Sequence, residues 1–184
     1  MDTTAFEEFC NRIGENPKRE GLLQTPKRLR ECEEFLYGGY KKDPALALGS
    51  LFKNNGIDEM ITLRNIEFYS MCEHHILPFF GSISIGYVPN EYIAGIGGLA
   101  HLIEVFTRRL QIQETLTNQI ADTIMEILKP KGVMVVCEAK HLCMSMRGLQ
   151  KQNVTIKTSA VRGLFKSDSK TRTEFLQLIA HSIG

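Results

Sequence analysis

The stretch Ser82-Ile83-Ser84-Ile85-Gly86-Tyr87-Val88 alternates large apolar residues with small ones. Side chains of a β-strand point to alternate faces, so this spacing puts Ile83, Ile85 and Tyr87 on one buried face. Residues 60–71, which precede it, have the composition of a second strand. The pattern therefore predicts two consecutive strands in the middle of the chain.

The periodicity changes after these strands. Residues 99–110 and 116–128 carry apolar side chains at three- and four-residue spacing, which predicts two amphipathic helices. Residues 132–143 and 153–161 return to the pattern of strands. A last helix is predicted near the end of the chain, with Phe175, Leu176 and Ile179 on its apolar side.

The N-terminal third has helical spacing only. Apolar residues between Phe6 and Ile13 predict a helix that ends at Gly14. Thr25-Pro26 predicts the start of another helix, with Thr25 as its cap. We expect one domain over 1–184, in which 1–50 is a helical region and 58–184 is the core.

The order of these elements is helices, then β-β-α-α-β-β, then a helix. This order predicts an α+β fold in which helices cover one face of an antiparallel sheet. The other face and the edges of such a sheet need cover, and a second copy of the chain can supply it. We therefore expect a homo-oligomer.

Composition excludes several classes of protein. The 184 residues are 43% hydrophobic and 23% charged, which is typical of a globular protein with a sizeable core. The formal net charge of +1 gives no general attraction to nucleic acid or to a membrane. No signal peptide or spanning helix is visible, and five cysteines, an odd number, argue against a disulfide framework. We expect a protein of the reducing cytoplasm.

Two short segments concentrate the residues that bind metals. Met71-Cys72-Glu73-His74-His75 contains a Cys-x-x-His pair, and Lys140-His141-Leu142-Cys143 lies much later in the chain. On a strand, His141 and Cys143 would point to the same face. The two segments together predict a zinc ion held by Cys72, His75 and Cys143, with His74 and His141 free beside it.

The number of ligands separates two kinds of zinc site. Structural zinc is closed by four protein ligands, whereas catalytic zinc keeps one position for water. Cys137 lies too far along an extended strand from Cys143 to be a fourth ligand, so we expect it in the core. A Cys-x-x-His pair alone is a weak signal, and a purely structural zinc remains the main alternative.

A catalytic zinc with two free imidazoles suits hydrolysis of a carbon–nitrogen bond. The ion makes hydroxide available near neutral pH, and histidine can carry protons there. Glu114 could accept two hydrogen bonds from a guanine edge, but it is equally explained as an acidic residue in the first turn of a helix. Arg147 could hold a phosphate, or it could be an ordinary surface arginine.

Several motifs then match a known family, in the same order and over nearly the whole chain. They are Asn16-Pro17-Lys18-Arg19-Glu20-Gly21-Leu22, Thr25-Pro26-Lys27-Arg28, Cys72-Glu73-His74-His75, Arg109-Leu110-Gln111-Ile112-Gln113-Glu114, His141-Leu142-Cys143-Met144 with Arg147, and Gly163-Leu164-Phe165-Lys166 with Thr171-Arg172 and Glu174-Phe175-Leu176. On these residues the chain resembles GTP cyclohydrolase I.

The resemblance implies a tunnelling-fold (T-fold) subunit, with rings that stack as a decamer of two pentamers. It also implies conversion of GTP and water to 7,8-dihydroneopterin triphosphate and formate, the entry to pterin and tetrahydrofolate synthesis. In that reaction an activated water attacks C8 of guanine.

The resemblance also assigns roles to residues. It implies zinc ligation by Cys72, His75 and Cys143, and proton transfer by His74 and His141. It further implies that Glu114 and Gln113 bind the guanine edge. Phosphate would be bound by Arg147 and, from a neighbouring subunit, by Arg28.

One segment departs from the family. After Ile93-Ala94-Gly95-Ile96 the family usually continues with serine and lysine, followed three positions later by arginine, whereas this chain has Gly97, Gly98 and His101. Those family residues grip the triphosphate, which needs cationic partners. Two alternatives therefore stay open: a zinc hydrolase that acts on a guanine nucleotide with fewer phosphates, and a non-catalytic protein that binds zinc and nucleotide.

Overall fold

The structure, a computed structural model, describes residues 2–180 and begins with three helices. They are α1 (Thr3–Ile13), α2 (Thr25–Leu36) and α3 (Pro44–Leu48), with single 3-10 turns at Glu20–Leu22 and Gly38–Lys41. The remaining elements, in chain order, are β1 (Leu51–Lys53), β2 (Ile61–Cys72), β3 (Leu77–Val88), β4 (Tyr92–Ala94), α4 (Ile96–Thr107), β5 (Leu110–Gln111), α5 (Gln113–Leu128), β6 (Gly132–His141), α6 (Leu142–Ser145), β7 (Ile156–Gly163), α7 (Leu164–Ser167) and α8 (Ser169–Ala180).

The central sheet has the strand order β5-β2-β3-β6-β7. Its four long strands are antiparallel neighbours, and the predicted α+β fold is confirmed. The sheet is not antiparallel throughout, because the two-residue strand β5 pairs in parallel with the end of β2, with Cys72 opposite Gln111. This short pairing brings the start of α5 beside the end of β2. Short strands β1 and β4 form a separate pair.

Alternation along β6 divides the apolar side chains between two faces of the sheet. Val133 and Val135 join the large core under α4 and α5, whereas Met134 joins a smaller cluster with Phe165 and Phe175 of α7 and α8. Helices thus pack against both faces of the sheet. The large core is built mainly of Phe79, Ile83, Ile85, Tyr87, Leu99, Leu102, Ile103, Leu116, Ile120, Ile124 and Leu128.

Some predicted boundaries are wrong for local reasons. Thr25 is the first residue of α2 and not its cap; the N-cap residue is Gln24, whose side chain makes no capping hydrogen bond. The strand predicted over 132–143 ends at His141, because the chain turns into α6. The expected single domain over 1–184 stays a prediction, and residues 181–184 lie outside the described part of the chain. Among residues 2–180 no helix has both the length and the apolar character needed to cross a membrane.

Arg109 fastens the N-terminal region to the sheet. Its Nε and Nη2 donate to the carbonyl of Gly39 at 3.2 and 2.9 Å, and the amide of Gly39 donates to the carbonyl of Arg108 at 3.0 Å. The hydroxyl of Tyr40 accepts from the amide of Leu110 at 3.1 Å. These bonds attach the chain after α2 to the corner that leads into β5 and so to the end of β2.

The two glycines at the start of α4 differ in their surroundings. A Cβ added at Gly98 would lie 2.0 Å from the carbonyl oxygen of Leu48, the last residue of α3, whereas a Cβ at Gly97 would meet nothing within 4 Å. Helix α3 therefore packs against α4 at a point where only glycine fits.

This contrast predicts opposite effects of one substitution at adjacent positions. Gly98→Ala should lower the free energy of unfolding by about 1–3 kcal/mol, because the added methyl forces α3 away from α4. Gly97→Ala should leave it unchanged or raise it by up to about 1 kcal/mol, because alanine favours helix more than glycine does. Urea unfolding of the two variants checks the prediction, and equal midpoints would contradict it.

Candidate metal centre

Cys72, His141 and Cys143 lie together at one end of the sheet. Their ligand atoms, two Sγ and one imidazole nitrogen, all lie within 4.8 Å of one another. Cys72 is buried, and the other two are partly buried. Two thiol groups and an imidazole form a donor set that zinc prefers, so the residues present fit this ion. The predicted meeting of the two distant segments is thus confirmed for both cysteines.

Neighbouring strands bring these residues together. Cys72 is the last residue of β2, and the hairpin to β3 pairs it with Leu77. On the other side of β3, Phe79 pairs with His141, the last residue of β6. Cys143 follows on the short helix α6, so it lies near His141 because the chain turns there and not because both lie on a strand.

The predicted ligand His75 points elsewhere in this structure. His74 and His75 are exposed in the four-residue turn between β2 and β3. Nε2 of His75 accepts a hydrogen bond from Nη1 of Arg147 at 3.0 Å. A guanidinium has only donors, so this nitrogen carries a lone pair that a metal can also use. His74 stays near the cluster, with Nδ1 3.9 Å from Sγ of Cys72.

Burial affects the protonation of Cys143 and Cys137. It raises the pKa of Cys143, and the adjacent Cys72 adds to that shift. Metal binding works in the opposite direction, because a coordinating thiol is deprotonated. Cys137 is fully buried, and burial raises its pKa to about 12, so it stays a neutral thiol. The expectation that Cys137 is a core residue is confirmed.

His141 is held in a defined orientation. Its ring stacks on Phe79, with centroids 4.6 Å apart and planes 11° apart, and its Nε2 lies 2.9 Å from Oε1 of Gln113. Burial lowers the pKa of His141, and the Glu114 carboxylate opposes this shift. A neutral imidazole at neutral pH is able to accept a proton.

Gln113 and Glu114 occupy adjacent positions in α5 but different environments. Gln113 is only 1% exposed, and its amide is bonded within the chain, whereas Glu114 is exposed. Glu114 is therefore accessible to a ligand beside His141. The predicted contact of Gln113 with guanine stays a prediction, and the structure gives this side chain a separate set of partners.

The predicted phosphate-binding residues are spread over several elements. Arg147 is exposed just after α6 and contacts His75. Arg28 is an exposed residue of α2. Gly97 and Gly98 lie in the first turn of α4, and His101 is exposed one turn later. Within residues 2–180, the metal cluster includes none of these side chains.

Three residues of the site could not be identified from the sequence. Phe79 stacks on His141, and Thr117 and Thr158 complete the hydrogen bonds around Gln113. The only indication in the sequence was the four-residue spacing of Gln113 and Thr117, which places these two side chains next to each other on one helix. Phe79 and Thr158 follow the ordinary alternation of strands, which does not distinguish them from other core residues.

Comparison with known proteins shows close relatives. A family model described as GTP cyclohydrolase I matches residues 3–180. GTP cyclohydrolase 1 of Helicobacter pylori is 62% identical in strain G27, over 95% of this chain and 97% of the relative, and 63% identical in strain ATCC 700392 / 26695, with the same coverage. GTP cyclohydrolase 1 of Wolinella succinogenes is 60% identical, over 92% and 90%. The solved archaeosine synthase QueF-Like in the apo form has a TM-score of 0.40 at 16% identity, over 56% of this chain and 93% of that chain, which is too low to show the fold.

Proposed function

The chain belongs to the GTP cyclohydrolase I family and catalyses its reaction, and we propose that the cluster around Cys72 and Cys143 is the catalytic zinc site. The single observation that supports this site is the convergence of the thiols of Cys72 and Cys143 with the imidazole of His141. We further propose the T-fold for the subunit, on the basis of family membership and the antiparallel order of the four long strands.

Cys72, His75 and Cys143 are the proposed ligands of the ion. His75 carries a lone pair on Nε2 and would exchange its bond to Arg147 for the metal. The alternative third ligand is His141, which already lies within 4.8 Å of both cysteines. We favour His75 because the family motif Cys72-Glu73-His74-His75 assigns it that role and leaves His141 for proton transfer. When bound, zinc lowers the pKa of water toward neutrality and polarises the atom under attack.

The remaining side chains are proposed to transfer protons and to bind the substrate. His141, with its pKa lowered by burial, is proposed to accept and return protons while the imidazole ring of guanine opens. His74, next to Cys72, is the second proton carrier. Release of Arg147 from His75 would leave its guanidinium free to bind a phosphate.

Glu114 is proposed to recognise the guanine edge, together with Gln113. Its exposed carboxylate can accept from the N1–H and the amino group at once, which adenine cannot reproduce. Glu114→Gln should therefore lower kcat/KM for GTP by about tenfold to a hundredfold, the value of one or two hydrogen bonds to a charged group. Steady-state kinetics check this, with Glu126→Gln on the last turn of α5 as the control. A Glu114→Gln enzyme as active as the control would contradict the role.

Oligomer formation is proposed from the edges of the sheet. Within the described residues, β7 pairs only with β6, and β2 pairs on its outer side only at Met71 and Cys72. Tyr69 and Phe80 also stack on each other where Tyr69 is 58% exposed. Free edges of this kind favour pairing with further copies. We propose a decamer of two pentamers, with Arg28 reaching the site of a neighbouring subunit, in the cytoplasm, where the five free cysteines stay reduced.

Turnover of GTP measured together with zinc content on one sample tests the proposal. We expect about one zinc per chain and formation of a pterin that becomes fluorescent after oxidation. Removal of zinc with a chelator should abolish turnover, and zinc should restore it. Full turnover without metal would contradict the zinc site.

The binding of the triphosphate needs a separate measurement, because Gly97, Gly98 and His101 stand where the family usually has serine, lysine and arginine, so two cationic residues are lost. We expect a preference for GTP over GDP and GMP, because Arg147 and the backbone amides at the start of α4 are groups able to bind an anion. Rates on the three nucleotides decide the question. Equal or faster turnover of GMP would show that the enzyme acts on a guanine nucleotide with fewer phosphates.

A further inference from the structure

A row of polar side chains on the exposed side of α5 connects the proposed guanine-binding residue to β7. From it we infer that Arg162 of β7 is a positioning residue, which acts through Asn118 to hold Glu114 in place for the guanine edge and so contributes to selection of the base. The inference rests on the proposed function, because recognition of guanine by Glu114 is proposed there. It gives Arg162 and Asn118 a role in specificity that requires no contact with the nucleotide.

The row follows the repeat of the helix. Glu114, Asn118 and Asp122 are spaced four residues apart along α5, so they lie one above the other on the same side of it, and all three are exposed. Arg162 approaches this row from β7, where alternation puts it on the same face of the sheet as Ala160, a residue of the large core. Helix and strand are therefore joined at the surface as well as in the core.

The guanidinium of Arg162 contacts two successive turns of the helix. Its Nε donates to Oδ1 of Asp122 at 2.7 Å, and its Nη2 donates to Oδ1 of Asn118 at 2.8 Å. Its Nη1 donates to the backbone carbonyl of Val161 at 3.0 Å. The side chain of Arg162 is only 31% exposed. A planar group that is bonded through all three of its nitrogens has a defined position, which distinguishes it from an isolated surface ion pair.

Asn118 connects this guanidinium to the first turn of α5. Its Nδ2 donates to the backbone carbonyl of Glu114 at 2.9 Å, and its Oδ1 accepts from Arg162. A carbonyl can only accept and a guanidinium can only donate, so both partners require the same orientation of the amide of Asn118. Arg162, Asn118 and Glu114 therefore form a continuous chain of hydrogen bonds from β7 to the backbone of the guanine-binding residue.

The start of α5 depends on such a support. Its N-cap residue is Ile112, whose side chain makes no capping hydrogen bond. The first amides of a helix have no partner within it, so a first turn without a cap is held less firmly. Gln113 attaches the buried side of this turn to the sheet through its amide. Asn118 and Arg162 support the exposed side, where Glu114 lies.

The position of Glu114 matters because recognition of guanine needs two hydrogen bonds at once. Within residues 2–180 no side chain holds the Glu114 carboxylate by a hydrogen bond, so its placement depends on the backbone that carries it. Two parallel bonds require the carboxylate to lie in the plane of the base, and a displacement of about 1 Å can lower a rate by about a hundredfold. Loss of the chain of hydrogen bonds should therefore weaken selection of guanine.

Inosine triphosphate is the probe that tests this effect. Its base keeps the N1–H but lacks the amino group of guanine, so Glu114 can form only one of the two bonds. We expect the wild-type enzyme to prefer GTP over inosine triphosphate by about tenfold to a hundredfold in kcat/KM, the value of one hydrogen bond to a charged group. In Asn118→Ala that preference should fall by about threefold or more. Alanine favours helix more than asparagine does, so a weaker helix could not explain the fall.

Arg162→Met should show the same fall in preference, because Asn118 loses the donor that orients it. Two matched controls leave the chain of hydrogen bonds intact. Asp122→Asn removes the ion pair of Arg162 but keeps an acceptor oxygen and the bond to Asn118. Lys157→Met removes another ion pair of β7, the one with Glu138 at 2.7 Å. Both controls should keep the preference within about twofold of the wild type, whatever they do to stability.

An unchanged preference in Asn118→Ala would overturn the inference, and so would an equal fall in Asp122→Asn, which would show a general effect of the contact between helix and strand. Glu114→Gln, measured beside them, separates two kinds of failure. If it loses the preference while Asn118→Ala keeps it, Glu114 recognises guanine and only the inference is wrong. If it keeps the preference, the proposed role of Glu114 fails and the inference fails with it. Should Arg162→Met not fold, Asn118→Ala, at an exposed position, decides alone.

Discussion

Replacing Cys143 with alanine should produce a folded protein that retains no stoichiometric zinc and has lost GTP turnover. Cys143 is only partly buried at the edge of the core, so its removal leaves the sheet intact. Two remaining ligands hold zinc weakly. A catalytic metal supplies several kcal/mol of transition-state stabilisation, so kcat/KM should fall by about a thousandfold or more. Metal analysis, turnover and thermal unfolding of the same preparation measure these effects.

Two other cysteines provide controls. Cys32 is exposed and Cys137 is buried away from the cluster, so Cys32→Ala and Cys137→Ala should both keep their zinc. The Cys137 variant should be less stable, because it leaves a cavity in the core. Stoichiometric zinc in Cys143→Ala would show that the ligand assignment is wrong.

Alanine at His141 and at His75 should have different consequences. We expect His141→Ala to keep stoichiometric zinc but to lose about a hundredfold to ten-thousandfold in kcat, the usual contribution of a positioned acid or base. His75→Ala should lose the zinc itself. Metal content and kcat of the two variants, measured side by side, test both assignments.

The opposite pattern is equally informative. Loss of zinc in His141→Ala with retention in His75→Ala would make His141 the third ligand, as its distance to the two cysteines allows. Unchanged turnover in His141→Ala would rule out the proposed proton transfer by this residue.

The sequence was most informative where side chains alternate. The pattern of Ile83, Ile85 and Tyr87 was sufficient to predict a buried strand, and the apolar spacing in α4 and α5 predicted the helices that cover it. The pattern did not predict β5, because two residues are too few to show a period. It also missed α3, whose position depends on a contact with α4 formed far from it in sequence.

The sequence was sufficient to predict which residues form the candidate site, but not how their side chains are oriented. Cys72 and Cys143 could be paired from their motifs, since two chelating segments imply a shared ion. The orientation of a histidine ring is decided by its neighbours, so the sequence could not show that His141 lies beside the cysteines while His75 contacts Arg147. The same limit applies to Gln113, whose partners include backbone carbonyls of β6 and β7.

The contact between Gly98 and Leu48 has a consequence for attempts to redesign this enzyme. Installing at position 98 the lysine that the family usually carries would destabilise the protein, because the first side-chain carbon would meet the end of α3. Rebuilding residues 44–49 at the same time would relieve that contact. Position 97 faces open space and accepts a serine immediately. Cationic residues that bind the triphosphate are therefore best introduced in another loop.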